Sequence, residues 1–170
     1  MADNIILIGF MGVGKGRTAR ALAALTGRFA IDTDDLIESM VKMRIRDIFA
    51  EQGEAHFRQL EQQCATWLEG QVSHTIVSAG GGFFKVNNLQ RLGQVIYLHS
   101  DLDSILEAIR SHPNAEQKMK KRPLFQDIAR AEALFVERLP QYRQAADLEI
   151  SVRGRTNADI AAEIVARLRS

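Results

Sequence analysis

Apolar residues along this chain fall into short unbroken runs separated by longer stretches of helical period. Ile5-Ile6-Leu7-Ile8 is the first run; Phe29-Ala30-Ile31, Thr75-Ile76-Val77-Ser78-Ala79, Gln94-Val95-Ile96-Tyr97-Leu98 and Asp147-Leu148-Glu149-Ile150-Ser151-Val152 follow. Runs this short, rich in β-branched residues, predict strands buried in a sheet. Between them the apolar positions recur at the spacing of helical turns. That period predicts helices over Arg17 to Leu25, closed by Gly27, and over Leu36 to Lys42, with Asp34 or Asp35 available as its cap. A short helix begins at Ile45, and a longer one runs from Gly53 to near Gly70, with Phe57, Leu60, Cys64 and either Trp67 or Leu68 as core. A helix over Asp101 to Arg110 follows a Ser100 cap. Ala131 to Gln144 carries a Pro140 that should bend or divide it, and Ala158 to Leu168 follows an Asn157 cap. Strands alternating with helices predict an α/β fold: a five-stranded parallel, doubly wound sheet with helices on both faces.

The first connection has a chemistry of its own. Gly9-Phe10-Met11-Gly12-Val13-Gly14-Lys15-Gly16 lies between a strand and a helix, and Gly9, Gly14 and Lys15 fill the spacing G-x-x-x-x-G-K. Such a loop turns backbone N–H groups toward a phosphate, its lysine reaches the outer phosphates, and the helix behind it adds a positive dipole end. Gly12, Val13, Gly14, Lys15, Gly16 and Arg17 are therefore the candidate nucleotide contacts. The full motif has Ser or Thr after the lysine, whose hydroxyl ligates the magnesium carried by the nucleotide. Here that position is Gly16, and Thr18 is no substitute, because two residues along a helix turn a side chain away by about 200°. Arg17 is a cation in the first helical turn, where the dipole disfavours it by roughly 0.3 to 1 kcal/mol. A bound phosphate reverses that penalty; the alternative is a solvated surface arginine.

The 170 residues, 46% apolar and 25% charged, suit one domain spanning 1–170 with a full core. A net charge of +1 argues against a general nucleic-acid or membrane-surface protein, so basic residues should act locally on a small anion. With no secretion signal or membrane span visible, the expectation is a cytoplasmic protein, monomeric by default. The lone Cys64 reads as a packing residue.

Further candidates sit at strand ends and in one loop. Asp32-Thr33-Asp34-Asp35 supplies three acids where a cap needs one, at a strand's carboxyl end, where open parallel sheets bind ligands. Gly80-Gly81-Gly82 exceeds what a turn requires, so something should approach the backbone there. Ser111 to Phe125 lacks sustained periodicity and carries Lys118, Lys120, Lys121 and Arg122; a loop of that length reads as a lid, the alternative being a solvated basic loop. Arg58 and Glu61, at i and i+3, read locally as no more than a surface pair.

Taken in order, Gly9 to Lys15, Asp32-x-Asp34, Gly53-Glu54-x-x-Phe57-Arg58-x-x-Glu61, Gly80-Gly81-Gly82, Arg122-Pro123-Leu124 and Arg138-x-x-x-Tyr142 resemble the shikimate kinase family, within the nucleoside-monophosphate-kinase-like P-loop NTPase fold. The resemblance spans nearly the whole chain. It implies phosphoryl transfer from ATP to the 3-hydroxyl of shikimate, giving ADP, with Mg2+ accompanying the nucleotide. It further implies that Asp34 holds the acceptor hydroxyl, that Arg58 and Arg138 grip the carboxylate, and that Gly80, Gly81 and Gly82 give backbone contacts. Lys15 and Arg122 would neutralise the transferring phosphoryl, with Arg110 and Arg155 in the adenine-contacting region. Asp32 would hold the metal through a water, in place of the missing hydroxyl. Residues of about 34–61 would form the substrate-binding helical region and about 111–125 the lid. Two other readings stay open: a non-catalytic nucleotide- or shikimate-binding relative, suggested by Gly16, and a kinase for another hydroxy acid such as gluconate.

Overall fold

A computed structural model describes residues 3–170. β1 (Ile5–Ile8), β2 (Ala30–Asp32), β3 (Ile76–Ser78), β4 (Gln94–His99) and β5 (Leu148–Ser151) form one sheet in the order β2-β3-β1-β4-β5, every neighbouring pair parallel. β1 is central and wholly buried, because the period of two sends Ile5 and Leu7 to one face and Ile6 and Ile8 to the other. Behind the first face lie α1 (Lys15–Thr26) and α8 (Asn157–Arg169), whose Ala19, Leu22, Ile160 and Ile164 share its core. The second face is covered by α3 (Ile45–Gln71), α5 (Leu102–Arg110) and α7 (Ile128–Ala145) through Phe57, Leu60, Ile105, Leu106 and Tyr142. Cover on both sides is why the strands read as continuous apolar runs rather than as alternation. α2 (Thr33–Val41), α4 (Leu89–Leu92) and α6 (Ala115–Lys120) are the shorter helices. No helix among the described residues is long and apolar enough to cross a membrane.

The helix ends correct several expectations. Asp32, not Asp34 or Asp35, caps α2: its side chain accepts from the backbone N–H of both those residues. Asp101 rather than Ser100 caps α5, and Thr156 rather than Asn157 caps α8. Each cap needs a short side chain on an extended residue just outside the helix, and neighbouring polar residues made that position ambiguous. Pro140 does not divide α7. It is exposed, and so is Val136, whose carbonyl loses its partner, leaving water to satisfy it. The two helices expected around residue 53 are joined end to end as α3, with a break at Gly53, where φ is 82° and ψ 165°. Leu68, wholly buried, is the core residue; Trp67 is 46% exposed. The basic stretch is not structureless: it holds α6 and a 3₁₀ turn at Pro123–Gln126.

Candidate active site

Gly9 to Gly14 follow β1, and the loop they form is pinned from behind. Gly12 has φ +84°, and a Cβ there would meet Ile109 Cδ1 at 2.9 Å and Phe125 Cε2 at 3.4 Å, so only glycine lets the loop sit down on α5 and on the 3₁₀ turn at Pro123–Gln126. The Thr18 N–H donates to Gly14 at 2.9 Å, starting α1 at Lys15 with no acidic residue in its first turn. The Lys15 Nζ donates to the carbonyls of Gly9 at 2.6 Å and Phe10 at 3.1 Å. These are bonds a nucleotide's phosphates can take over.

Facing the loop are the carboxyl ends of β2 and β3. Asp32 closes β2 by capping α2, and that turn carries Asp34 inward with its Oδ1 buried and unpartnered. The three glycines after β3 explain themselves side chain by side chain. A Cβ on Gly80 would lie 2.6 Å from Asp34 Oδ1, one on Gly81 3.3 Å from Arg138 Nη1, and one on Gly82 would overlap the Arg58 guanidinium, 2.6 Å from its Cζ. The close approach expected at this turn is thus made by three other side chains. The turn is held by Thr33 Oγ1, which accepts from the Gly80 N–H at 2.9 Å, and by the Tyr142 hydroxyl, which donates to the Gly81 carbonyl at 2.6 Å. Gly81 also brings the donor loop close, its Cβ position lying 3.9 Å from the Met11 nitrogen.

Arg58 is fixed by carboxylates on α3: it donates to Glu61 Oε2 at 2.6 Å and to Glu54 Oε1 at 3.1 Å. Glu61 is only 1% exposed, so the Arg58–Glu61 pair is not the surface pair its spacing suggested. Arg138, on α7, is buried with its Nε unpartnered. Among the described residues, four buried side-chain polar atoms lack a partner; three of them, Asp34 Oδ1, Glu61 Oε1 and Arg138 Nε, lie here. Unpaired buried polar atoms cost roughly 1 to 3 kcal/mol each, so their clustering marks a place built for a polar ligand.

Burial dominates the electrostatics. It pushes the Asp34 carboxyl up to about 7, aided by the like charges of Asp32 and Glu61. It pulls the Lys15 ammonium down to about 8, against the attraction of Asp34 and Asp32. Arg138 and Arg122 lie near enough to Lys15 for their like charges to push the same way. Arg122 lies between α6 and the 3₁₀ turn, tied by a 3.0 Å bond from Nη1 to the Lys118 carbonyl, and Arg17 is a like-charged neighbour. Cys64, buried and pushed up to about 11, is an inert thiol.

Lys15, Asp32, Asp34, Arg58, Gly80, Gly81, Gly82, Arg122 and Arg138 are therefore brought together. Arg110 ends α5 on the surface, and Arg155 is engaged by Glu163 and the Ser151 carbonyl, so neither joins this cluster. Sequence reasoning missed three residues that build the site: Thr33, Tyr142 as an anchor of the glycine turn, and Glu61 as the buried holder of Arg58. A signal existed for Glu61, since it sits one turn from Arg58 and on the face of Leu60 and Cys64, the core side of α3.

A phosphate loop on one side and, on the other, a buried polar cluster of two arginines and a carboxyl pushed up to about 7 suit a P-loop small-molecule kinase. The comparisons make that particular. The family model for shikimate kinase matches residues 11–169. The shikimate kinase of Helicobacter hepaticus is 39% identical over 142 residues, covering 84% of this chain and 82% of that protein. The one from Symbiobacterium thermophilum is 34% identical, covering 98% and 96%. Among solved structures, shikimate kinase from Acinetobacter baumannii in complex with shikimate superposes with a TM-score of 0.85 at 30% identity, covering 99% of this chain and 94% of that one. The chain belongs to the shikimate kinase family and is an ATP-dependent kinase.

Proposed function

We propose that the chain passes the γ-phosphoryl group of ATP to the 3-hydroxyl of shikimate, with Asp34, Arg58, Arg122, Arg138 and Lys15 as the working residues. The observation that carries the assignment is the cluster of buried, unpartnered polar atoms around Gly80 to Gly82. A small ring with hydroxyls and one carboxylate satisfies such a cluster: Arg58 and Arg138 offer planar donor forks to the carboxylate, and Asp34 accepts from a hydroxyl. With its carboxyl near 7, Asp34 is matched to taking the hydroxyl proton as the oxygen attacks. Lys15 leaves the loop carbonyls for the phosphates, and Arg122 joins it from the lid, so that positive charge surrounds the transferring group. Closing the lid also keeps water from the phosphoryl group.

Magnesium arriving with ATP would neutralise phosphate charge. The residues fit a largely hydrated ion. Gly16 offers no hydroxyl, and among the described residues no group of three His, Cys, Asp or Glu is gathered. Asp32 spends Oδ1 on the cap of α2, which leaves its other oxygen to hold an ion through a water.

The test is ADP release from ATP and magnesium by the purified chain, with and without shikimate, against a chelator control and with gluconate as a second acceptor. Strong release that depends on shikimate is expected. Shikimate binding without release would mean a non-catalytic relative, and release with gluconate alone would overturn the substrate. Family membership and the two-arginine pocket favour neither alternative.

A further inference from the structure

Gly16 stands where a phosphate loop ordinarily supplies a metal-ligating hydroxyl, and the structure puts a cation beside that position. A Cβ added at Gly16 would lie 3.6 Å from Arg20 Nη1. The two residues are i and i+4 on α1, and helical side chains lean toward the helix N-terminus, so the guanidinium is carried back over the first turn. Arg20 makes no ion pair and no side-chain hydrogen bond among the described residues. Arg28, Arg58, Arg91, Arg143 and Arg155 are each held by an acid. The first turn of α1 contains no acidic residue to neutralise it. An unpaired cation at the positive end of a helix dipole is unfavourable by itself and becomes favourable with a polyanion in the loop.

We infer that Arg20 is a phosphate-binding residue that takes over part of the metal's charge in this loop, the side chain missing at Gly16 leaving its guanidinium open to the outer phosphates of the nucleotide. The inference rests on the kinase reading above. A guanidinium presents several donors to phosphate oxygens without requiring a hydroxyl or an ordered water. The loop then holds ATP in two forms: with magnesium through phosphate and water, and without it through Arg20.

Calorimetric titration separates the cases, using wild type, Arg20→Gln, Gly16→Ser and the distant charge control Arg46→Gln. Each is titrated with ATP in saturating magnesium and with ATP in chelator. Wild type should bind metal-free ATP measurably. Arg20→Gln should weaken that binding about tenfold, the worth of one charge-assisted hydrogen bond, while MgATP binding falls less. Arg46→Gln should change neither. Gly16→Ser, whose Cβ meets Arg20 at an ordinary contact distance, should raise the benefit of magnesium. Three results overturn the inference: metal-free binding by Arg20→Gln equal to wild type, equal loss with and without metal, or a wild type that binds ATP only with magnesium. Failure of wild type to bind ATP in either form would overturn the kinase reading itself.

Discussion

Replacing Asp34 with asparagine should remove phosphoryl transfer and at the same time stabilise the fold, by an amount that grows with pH. Asparagine keeps the shape of the side chain and loses no hydrogen bond at Oδ1, which has none. What it removes is a buried charge. The carboxyl moves from its ordinary 3.8 to about 7 in the fold. That rise of about 3 units, at 1.36 kcal/mol per unit, sets ionised Asp34 against the folded state by about 4 kcal/mol. Asp34 keeps some contact with water, and screening halves the figure to ~2 kcal/mol. The direction follows from proton binding. The folded chain keeps the proton up to about 7 while the unfolded chain releases it near 3.8, so the penalty builds as pH rises between those values and is complete above 7. For a chain of this length ~2 kcal/mol is roughly 4 to 8 °C in Tm near pH 8, and clearly less near pH 5. Melting followed by calorimetry at both pH values, beside the ADP-release assay, checks both halves. Transfer should fall at least about 100-fold, the lower worth of a general base. Equal Tm for wild type and variant at both pH values, or a variant less stable near pH 8, would refute the picture of Asp34 as a base held at the expense of stability.

Gly82→Ala should raise the KM for shikimate about tenfold or more and also lower Tm, because the new methyl displaces the Arg58 guanidinium and disturbs its pair with buried Glu61; an unchanged KM would contradict this. Arg122→Ala should lower kcat about 1,000-fold with shikimate affinity nearly intact, as for a cation acting on the transferring phosphoryl; equal loss in both would assign it to substrate binding. Arg17→Ala should weaken ATP binding roughly 5-fold, the worth of about 1 kcal/mol. Affinity equal to wild type would make Arg17 a solvated surface residue.

The wholly buried run Ile5 to Ile8 could be read as a strand because its neighbours along the chain already declared a glycine loop and a helix. The phosphate loop was legible for the same reason: backbone amides, a lysine and a helix dipole act over eight consecutive residues. Gly80 to Gly82 announced a close approach without saying by what. The visitors, Asp34, Arg58 and Arg138, come from α2, α3 and α7, and no local pattern connects them.

Glu61 shows where sequence reading stops. From its spacing it forms an ordinary surface pair with Arg58, and only the packing of α3 against the sheet removes it from water and turns that pair into a fixed anchor. The shifts of Asp34 and Lys15 are of the same kind, since burial is their largest cause and burial belongs to the assembled chain. Arg20 is intermediate: its four-residue distance from Gly16 is in the sequence, but its lack of an acidic partner among the described residues is decided by the surfaces around it. By itself the sequence determined what depends on neighbours within a turn or two: the strands, most helices, the phosphate loop and the absent hydroxyl at Gly16. The tertiary structure decided which charges lose their water and which glycines make room for them, because desolvation and steric exclusion are set by atoms that are distant along the chain.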